Sequence, residues 1–284
     1  PLSLPCERGE GAGGWGECII MNRDLLKNIR CFILDMDGTI YLGSRVFDFT
    51  IPFLSALTAS GREYLFLTNN SSLSAADYVK KLERLGIPAG KNGVITSGDA
   101  TIEHLKNAGL TRVFLMGTES LMNDFKHNGF TLTDDKPAAV VLGFDTTITY
   151  EKIRTANDLH LSGTPFYATH PDLVCPYLPH PIPDTGAMIK MFEASSGVSP
   201  IVIGKPNAPM ASAIMRRYGY SLDEIAMVGD RLYTDVKFGL NNGFASILVL
   251  SGETDSAMLG ESGIAPDHVF SDIGEMGRIL GIGP

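Results

Sequence analysis

Four short apolar runs in this 284-residue chain each end abruptly in a polar cluster. Cys31-Phe32-Ile33-Leu34 runs into Asp35-Met36-Asp37-Gly38-Thr39, and Tyr64-Leu65-Phe66-Leu67 runs into Thr68-Asn69-Asn70. Ile201-Val202-Ile203 runs into Gly204-Lys205-Pro206, and Ile225-Ala226-Met227-Val228 into Gly229-Asp230, with Asp235 five residues on. Short continuous apolar runs bounded by turn residues predict strands buried on both faces, as in a parallel sheet. Open parallel sheets bind ligands beyond the carboxyl ends of their strands. Four such strands in one sheet would gather Asp, Thr/Asn, Lys and Asp groups along a single rim.

Between these runs, strand and helix signals alternate from Ile29 to about Gly109 and again after Lys205. Ser74 to Asp77 and Ser221 to Glu224 read as capping boxes at helix starts. The expected fold is α/β, a doubly wound, Rossmann-like parallel-sheet core. The second and third clusters are separated by 134 residues, 71 through 204, whereas a crossover needs only about a dozen. Strands are expected at 112–116, 138–142 and 165–168, and helices at 120–127 and 150–161. The interval therefore predicts a smaller α/β domain inserted at 110–199, with the core formed by 21–109 and 200–284. Pro171, Pro176, Pro179, Pro181 and Pro183 mark a stiff segment suited to a pocket wall.

Residues 1–20 are Gly-rich and lack both the cationic start and the apolar core of a secretory signal. They read as a disordered leader of vector-derived or upstream translated sequence, with Met21 opening a helix. A net charge of −9 and the lack of any Lys/Arg run argue against a nucleic-acid polymer or an anionic membrane as partner. No apolar stretch approaches the roughly 20 residues that span a bilayer. Cys6, Cys18, Cys31 and Cys175 are scattered without CxxC spacing, which argues against a zinc site or disulfide framework and fits a reducing cytoplasm.

The clusters carry a chemistry. Asp35 and Asp37 stand two apart at a strand end, so both carboxylates can face one side. Two close carboxylates repel, and one holds a proton unless a cation neutralises the pair. Gly38 permits a sharp turn that brings backbone N–H groups near an anion. Magnesium favours a few carboxylates together with substrate phosphate and water, and Asp230 would complete the protein's share. Lys205 supplies a fixed positive charge, and Thr68 and Asn69 supply neutral donors for phosphate oxygens. The set describes a magnesium-dependent phosphoryl-transfer site for a small phosphorylated metabolite.

These four clusters resemble the signatures of the haloacid dehalogenase superfamily of phosphatases. Thr68-Asn69-Asn70-Ser71, the insertion after it, and Ile203-Gly204-Lys205-Pro206 resemble the NagD-like, or 4-nitrophenylphosphatase, branch. The likeness runs from Arg30 to Gly252. It implies that Asp35 attacks phosphorus to form an aspartyl-phosphate, and that Asp37 protonates the leaving alcohol and then deprotonates the hydrolytic water. It implies magnesium held by the Asp35 carboxylate, the Asp37 backbone carbonyl and Asp230, with Asp235 orienting the metal's water or Lys205. Gly38, Thr68, Asn69, Asn70 and Lys205 are the implied phosphate and substrate contacts. A phosphotransferase or mutase with the same intermediate, or a low-turnover regulatory binder of phosphorylated ligands, shares these residues. The inserted domain would close over the leaving group, and a homodimer through it is compatible with the branch.

The segment Ala168-Thr169-His170-Pro171-Asp172 matches one that often reads Ala-Thr-Asn-Pro-Asp in this branch, so His170 departs from the pattern. Facing substrate, it would select a different leaving group or add a titration near pH 6.5; otherwise it is a solvated loop residue. It is carried as a candidate substrate contact. Asp145 reads as a turn or helix-capping residue. His104, His127 and His160 have no Cys or His at ligand spacing and are expected on the surface, and His180 belongs to the Pro-rich segment.

Overall fold

The structure, a computed structural model, describes residues 26–90, 93–177 and 179–282. The expected leader, the Met21 helix start, Cys6 and Cys18 lie outside the described residues. Six strands form the core sheet, in the order His268–Phe270, Ala245–Val249, Ile225–Gly229, Cys31–Leu34, Glu63–Thr68, Val94–Thr96, all parallel. Alternate residues leave the sheet on opposite sides, as the two-residue period of a strand requires. Phe32, Leu34, Tyr64, Phe66, Ala226 and Val228 join one apolar cluster, and Cys31, Ile33, Leu65, Leu67, Ile225 and Met227 join the other. Helices cover both faces, which is why these strands are apolar throughout rather than alternating.

The helix Ala75–Arg84 begins where the sequence places it, with Ser74 and Asp77 forming the capping box. The Ser221 to Glu224 box is also present, although the segment it opens is only a single 3₁₀ turn, Leu222–Glu224.

A second, five-stranded parallel sheet runs Ile201–Val202, Phe166–Ala168, Ala139–Leu142, Arg112–Met116, Thr131–Leu132. One placement differs from the sequence reading. Ile201–Val202 pairs with Phe166–Ala168 and so closes the inserted sheet; it is not a strand of the core sheet. Lys205 reaches the core rim from the end of that edge strand. Val113, Leu115, Val141 and Tyr167 of the inserted sheet share an apolar cluster with Cys31 and Leu65 of the core, bridged by Leu105 of the helix Ser97–Asn107 and by Met210 and Ile214 of the helix Ala208–Tyr218. Each fully buried side chain of this kind stabilises by about 1.5–3 kcal/mol, so the shared cluster favours the packing of the two sheets against each other. No helix among the described residues is long and apolar enough to cross a membrane.

Candidate active site

Parallel pairing of three neighbouring strands brings their carboxyl ends together. Asp230 follows Gly229, Asp35 follows Leu34, and Thr68 ends the third strand. Lys205 enters between them, 2% exposed. Its Nζ donates to Asp35 Oδ1 at 2.6 Å and to Asp235 Oδ1 at 2.6 Å. Burial alone would strip the proton from this ammonium, but Asp235 and Asp35 outweigh it and hold Lys205 charged. Asp235 is itself fixed by the Arg231 backbone N–H, which donates to Oδ2 at 3.1 Å.

One carboxylate oxygen from each of Asp35, Asp230 and Asp235 lies within 4.8 Å of the others. Burial, followed for Asp230 by the negative charge of Asp35 and Asp235, pushes the Asp35 and Asp230 carboxyls well above the usual carboxylate range. An all-oxygen, acidic donor set whose charge is incompletely balanced by one lysine fits a hard divalent cation. Asp230 is steadied on both sides: the Glu253 N–H donates to Oδ2 at 2.6 Å, and the Thr39 hydroxyl donates to Oδ1 at 3.5 Å. Asp37 is half-buried and accepts the Gly43 N–H at 3.4 Å; burial raises its affinity for a proton.

The remaining predicted residues divide. Thr68 and Asn70 line a cavity of about 390 Å³ above Asp35, Asp37 and Lys205. Asn69 also borders it, but its amide is fully engaged: Nδ2 donates to Asp172 Oδ1 and to the Lys205 carbonyl, and Oδ1 accepts the Lys205 N–H at 2.8 Å. Asn69 therefore places Lys205 instead of offering its side chain to a phosphate. The N–H of Gly38 donates to the Tyr41 carbonyl at 2.7 Å, so it is already used. Gly38 matters because its φ of +93° and missing Cβ let the chain pass against the Asp230 carboxylate.

His170 does not face the cavity, nor is it solvated. It is fully buried, with Nε2 2.8 Å from Asp184 Oδ1 and Nδ1 2.9 Å from the Thr169 hydroxyl. Asp184, which borders the cavity, also accepts the Thr185 N–H and caps the helix Thr185–Ser196. His160 corrects the sequence reading as well: it is buried, stacked on Phe166 and edge-on to Phe192. Asp145 serves its turn, accepting the Thr147 N–H and pairing with Lys152 at 2.7 Å.

Sequence reasoning missed Lys81, Tyr41, Asp172, Asp184, Tyr177 and Arg231, all on the cavity wall. Arg231 directly follows Asp230 and Asp172 directly follows Pro171, so chain adjacency was the available signal. Arg231 ties the two sheets' loops, reaching Asp172 at 3.4 Å and Glu253 at 2.9 Å. The hairpin Val174–Cys175 with Ile182–Pro183 supplies the outer wall, as the proline spacing suggested.

The chain is similar to known proteins over most of its length. Residues 32–131 match the haloacid dehalogenase-like hydrolases, and residues 202–276 match a second description, HAD-hydrolase-like. An acid sugar phosphatase from Staphylococcus saprophyticus is 32% identical over 254 residues, covering 88% of this chain and 98% of its own. A 5'-nucleotidase from Bacillus subtilis is also 32% identical, with the same coverage. The solved 4-nitrophenylphosphatase from Thermotoga maritima is 44% identical with a TM-score of 0.87, covering 90% of this chain and 99% of its own. The chain belongs to the haloacid dehalogenase-like hydrolases, in their NagD-like branch, and is a phosphomonoester hydrolase.

Proposed function

We propose that this enzyme hydrolyses small phosphomonoesters in the cytoplasm, sugar phosphates or nucleotides among them and 4-nitrophenyl phosphate in vitro, through an aspartyl-phosphate on Asp35. The observation that carries the reading is Lys205, its ammonium held 2.6 Å from both Asp35 and Asp235 at the floor of the cavity. A carboxylate oxygen of Asp35 attacks phosphorus while the bond to the leaving alcohol breaks. Asp37, made more proton-retaining by burial, gives its proton to the departing oxygen. It then takes a proton from the water that attacks the aspartyl-phosphate, which frees phosphate and restores Asp35. Such acid–base help contributes about 10²- to 10⁴-fold. Lys205 and the Thr68 hydroxyl stabilise charge on the transferring phosphoryl oxygens, where most catalysis of this reaction lies.

Mg²⁺ would be held by the carboxylates of Asp35 and Asp230 with the Asp37 backbone carbonyl. When bound, it supplies positive charge to the carboxylates and phosphoryl oxygens. Asp235 orients Lys205. The segment 110–199 acts as a cap whose hairpin walls the leaving group.

The test is phosphate release from 4-nitrophenyl phosphate, sugar phosphates and nucleotides, with Mg²⁺ or EDTA, by the enzyme and by Asp35→Asn. Release that requires Mg²⁺ and is lost in the variant is expected. Release that survives Asp35→Asn would remove the nucleophile assignment, and no release from any ester would remove the phosphatase reading.

A further inference from the structure

Three cations line the cavity among the described residues, and two are already neutralised. Lys205 sits between Asp35 and Asp235, and Arg231 between Asp172 and Glu253. Lys81, on the helix Ala75–Arg84, makes no ion pair with any described residue. Its Nζ donates to the Tyr41 hydroxyl at 3.1 Å and lies 4.2 Å from the centre of the Tyr41 ring. Tyr41 is 1% exposed and Lys81 half-buried, so this ammonium is partly desolvated, against a neutral partner. Burial works against its charge, and Asp37 is the acid whose field works for it. A half-desolvated ammonium on a ligand-cavity wall, lacking a carboxylate partner, is a ready site for an anion.

Its position says which anion. The phosphoryl group belongs over Asp35 and Lys205. Lys81 lies instead on the side of Asp37, the group that protonates the departing oxygen: Tyr41, which the ammonium contacts, is joined to Asp37 by a β-bridge. A substituent reaching Lys81 is therefore part of the leaving alcohol, a few bonds from the ester oxygen.

We propose that Lys81 is a specificity-determining residue that binds a second anionic group on the leaving alcohol, so that the preferred substrates are phosphate esters of small hydroxy acids. The assignment rests on the phosphatase reading above and narrows its substrate class.

A matched pair of esters tests it. 3-Phosphoglycerate and glycerol 3-phosphate differ only in carrying a carboxylate or a hydroxymethyl group at the far carbon. The ratio of their kcat/KM values is measured for the enzyme, for Lys81→Met and for Lys81→Arg. The enzyme is expected to favour the carboxylate ester by about ten- to a hundredfold, the worth of a charge-assisted hydrogen bond. Lys81→Met is expected to abolish that ratio, chiefly through KM for the acid, and Lys81→Arg to restore most of it. Phosphate release without a preference for the acid overturns this assignment alone. So does an equal loss on both esters in Lys81→Met, which would leave Lys81 only a support for Tyr41 or Asp37. No release from either ester or from 4-nitrophenyl phosphate overturns the phosphatase reading, and this assignment with it.

Discussion

The imidazole of His170 meets the carboxylate of Asp184 across 2.8 Å, and both side chains are buried. Burial opposes the charge on His170, but Asp184 outweighs it and raises the imidazole above its ordinary value of 6.5. A group raised on folding contributes stability that is fully present below its unfolded value and is lost as pH rises through the raised native one. His170→Ala is therefore expected to cost about 3–5 kcal/mol near pH 5.5, the cost of orphaning a buried charge, and progressively less as pH rises through the raised native value. Urea unfolding of both proteins across a pH series checks this, and a pH-independent cost would refute the charged pair.

Lys205→Met preserves much of the stem's length and removes the ammonium. The two carboxylates it bridged then face each other unneutralised, and the transferring phosphoryl group loses its fixed cation. The expected loss in kcat is about 10²- to 10³-fold, in the range of removing one preorganised electrostatic donor. Steady-state kinetics with saturating Mg²⁺ would decide it; a loss below tenfold would mean that Lys205 is structural only.

Gly252 packs against the Asp230 carboxylate so closely that an added Cβ would overlap it. Gly252→Ala must therefore push Asp230 aside while removing no charged group. The Mg²⁺ concentration for half-maximal activity is expected to rise by about 10- to 100-fold, as when a group orienting a ligand is lost. Titrating activity against Mg²⁺ tests this, and an unchanged midpoint would remove Asp230 from the metal's ligands.

Asp37→Asn removes the proton donor but keeps the shape. Alkyl phosphates, whose departing alkoxide is strongly basic, are expected to lose about 10²- to 10⁴-fold. 4-Nitrophenyl phosphate expels the weakly basic 4-nitrophenolate, so its kcat/KM, which reports formation of the aspartyl-phosphate and not its hydrolysis, should fall far less. Equal losses in kcat/KM on the two esters would contradict a proton transfer to the leaving group.

The residue order by itself determined the floor of the candidate site. Asp35, Thr68 and Asp230 each follow an apolar run that is buried on both faces, and parallel pairing of adjacent strands must bring such ends to one rim. The capping box of Ser74 with Asp77 was equally legible, because a cap is satisfied within four consecutive residues.

Only the tertiary structure decided the rest, because it depends on partners remote in the chain. Ile201–Val202 reads like any buried strand, and its sheet was chosen by pairing with Phe166–Ala168. His170 turned inward because Asp184, fourteen residues on, waits there; the local sequence around it is that of an ordinary loop. Asn69 was spent on placing Lys205, a contact across 136 positions. Lys81 looks like any surface lysine on an amphipathic helix until Tyr41 and the cavity are set beside it. Local pattern determines which residues end a strand or start a helix, whereas the surroundings of a side chain are set by non-local packing.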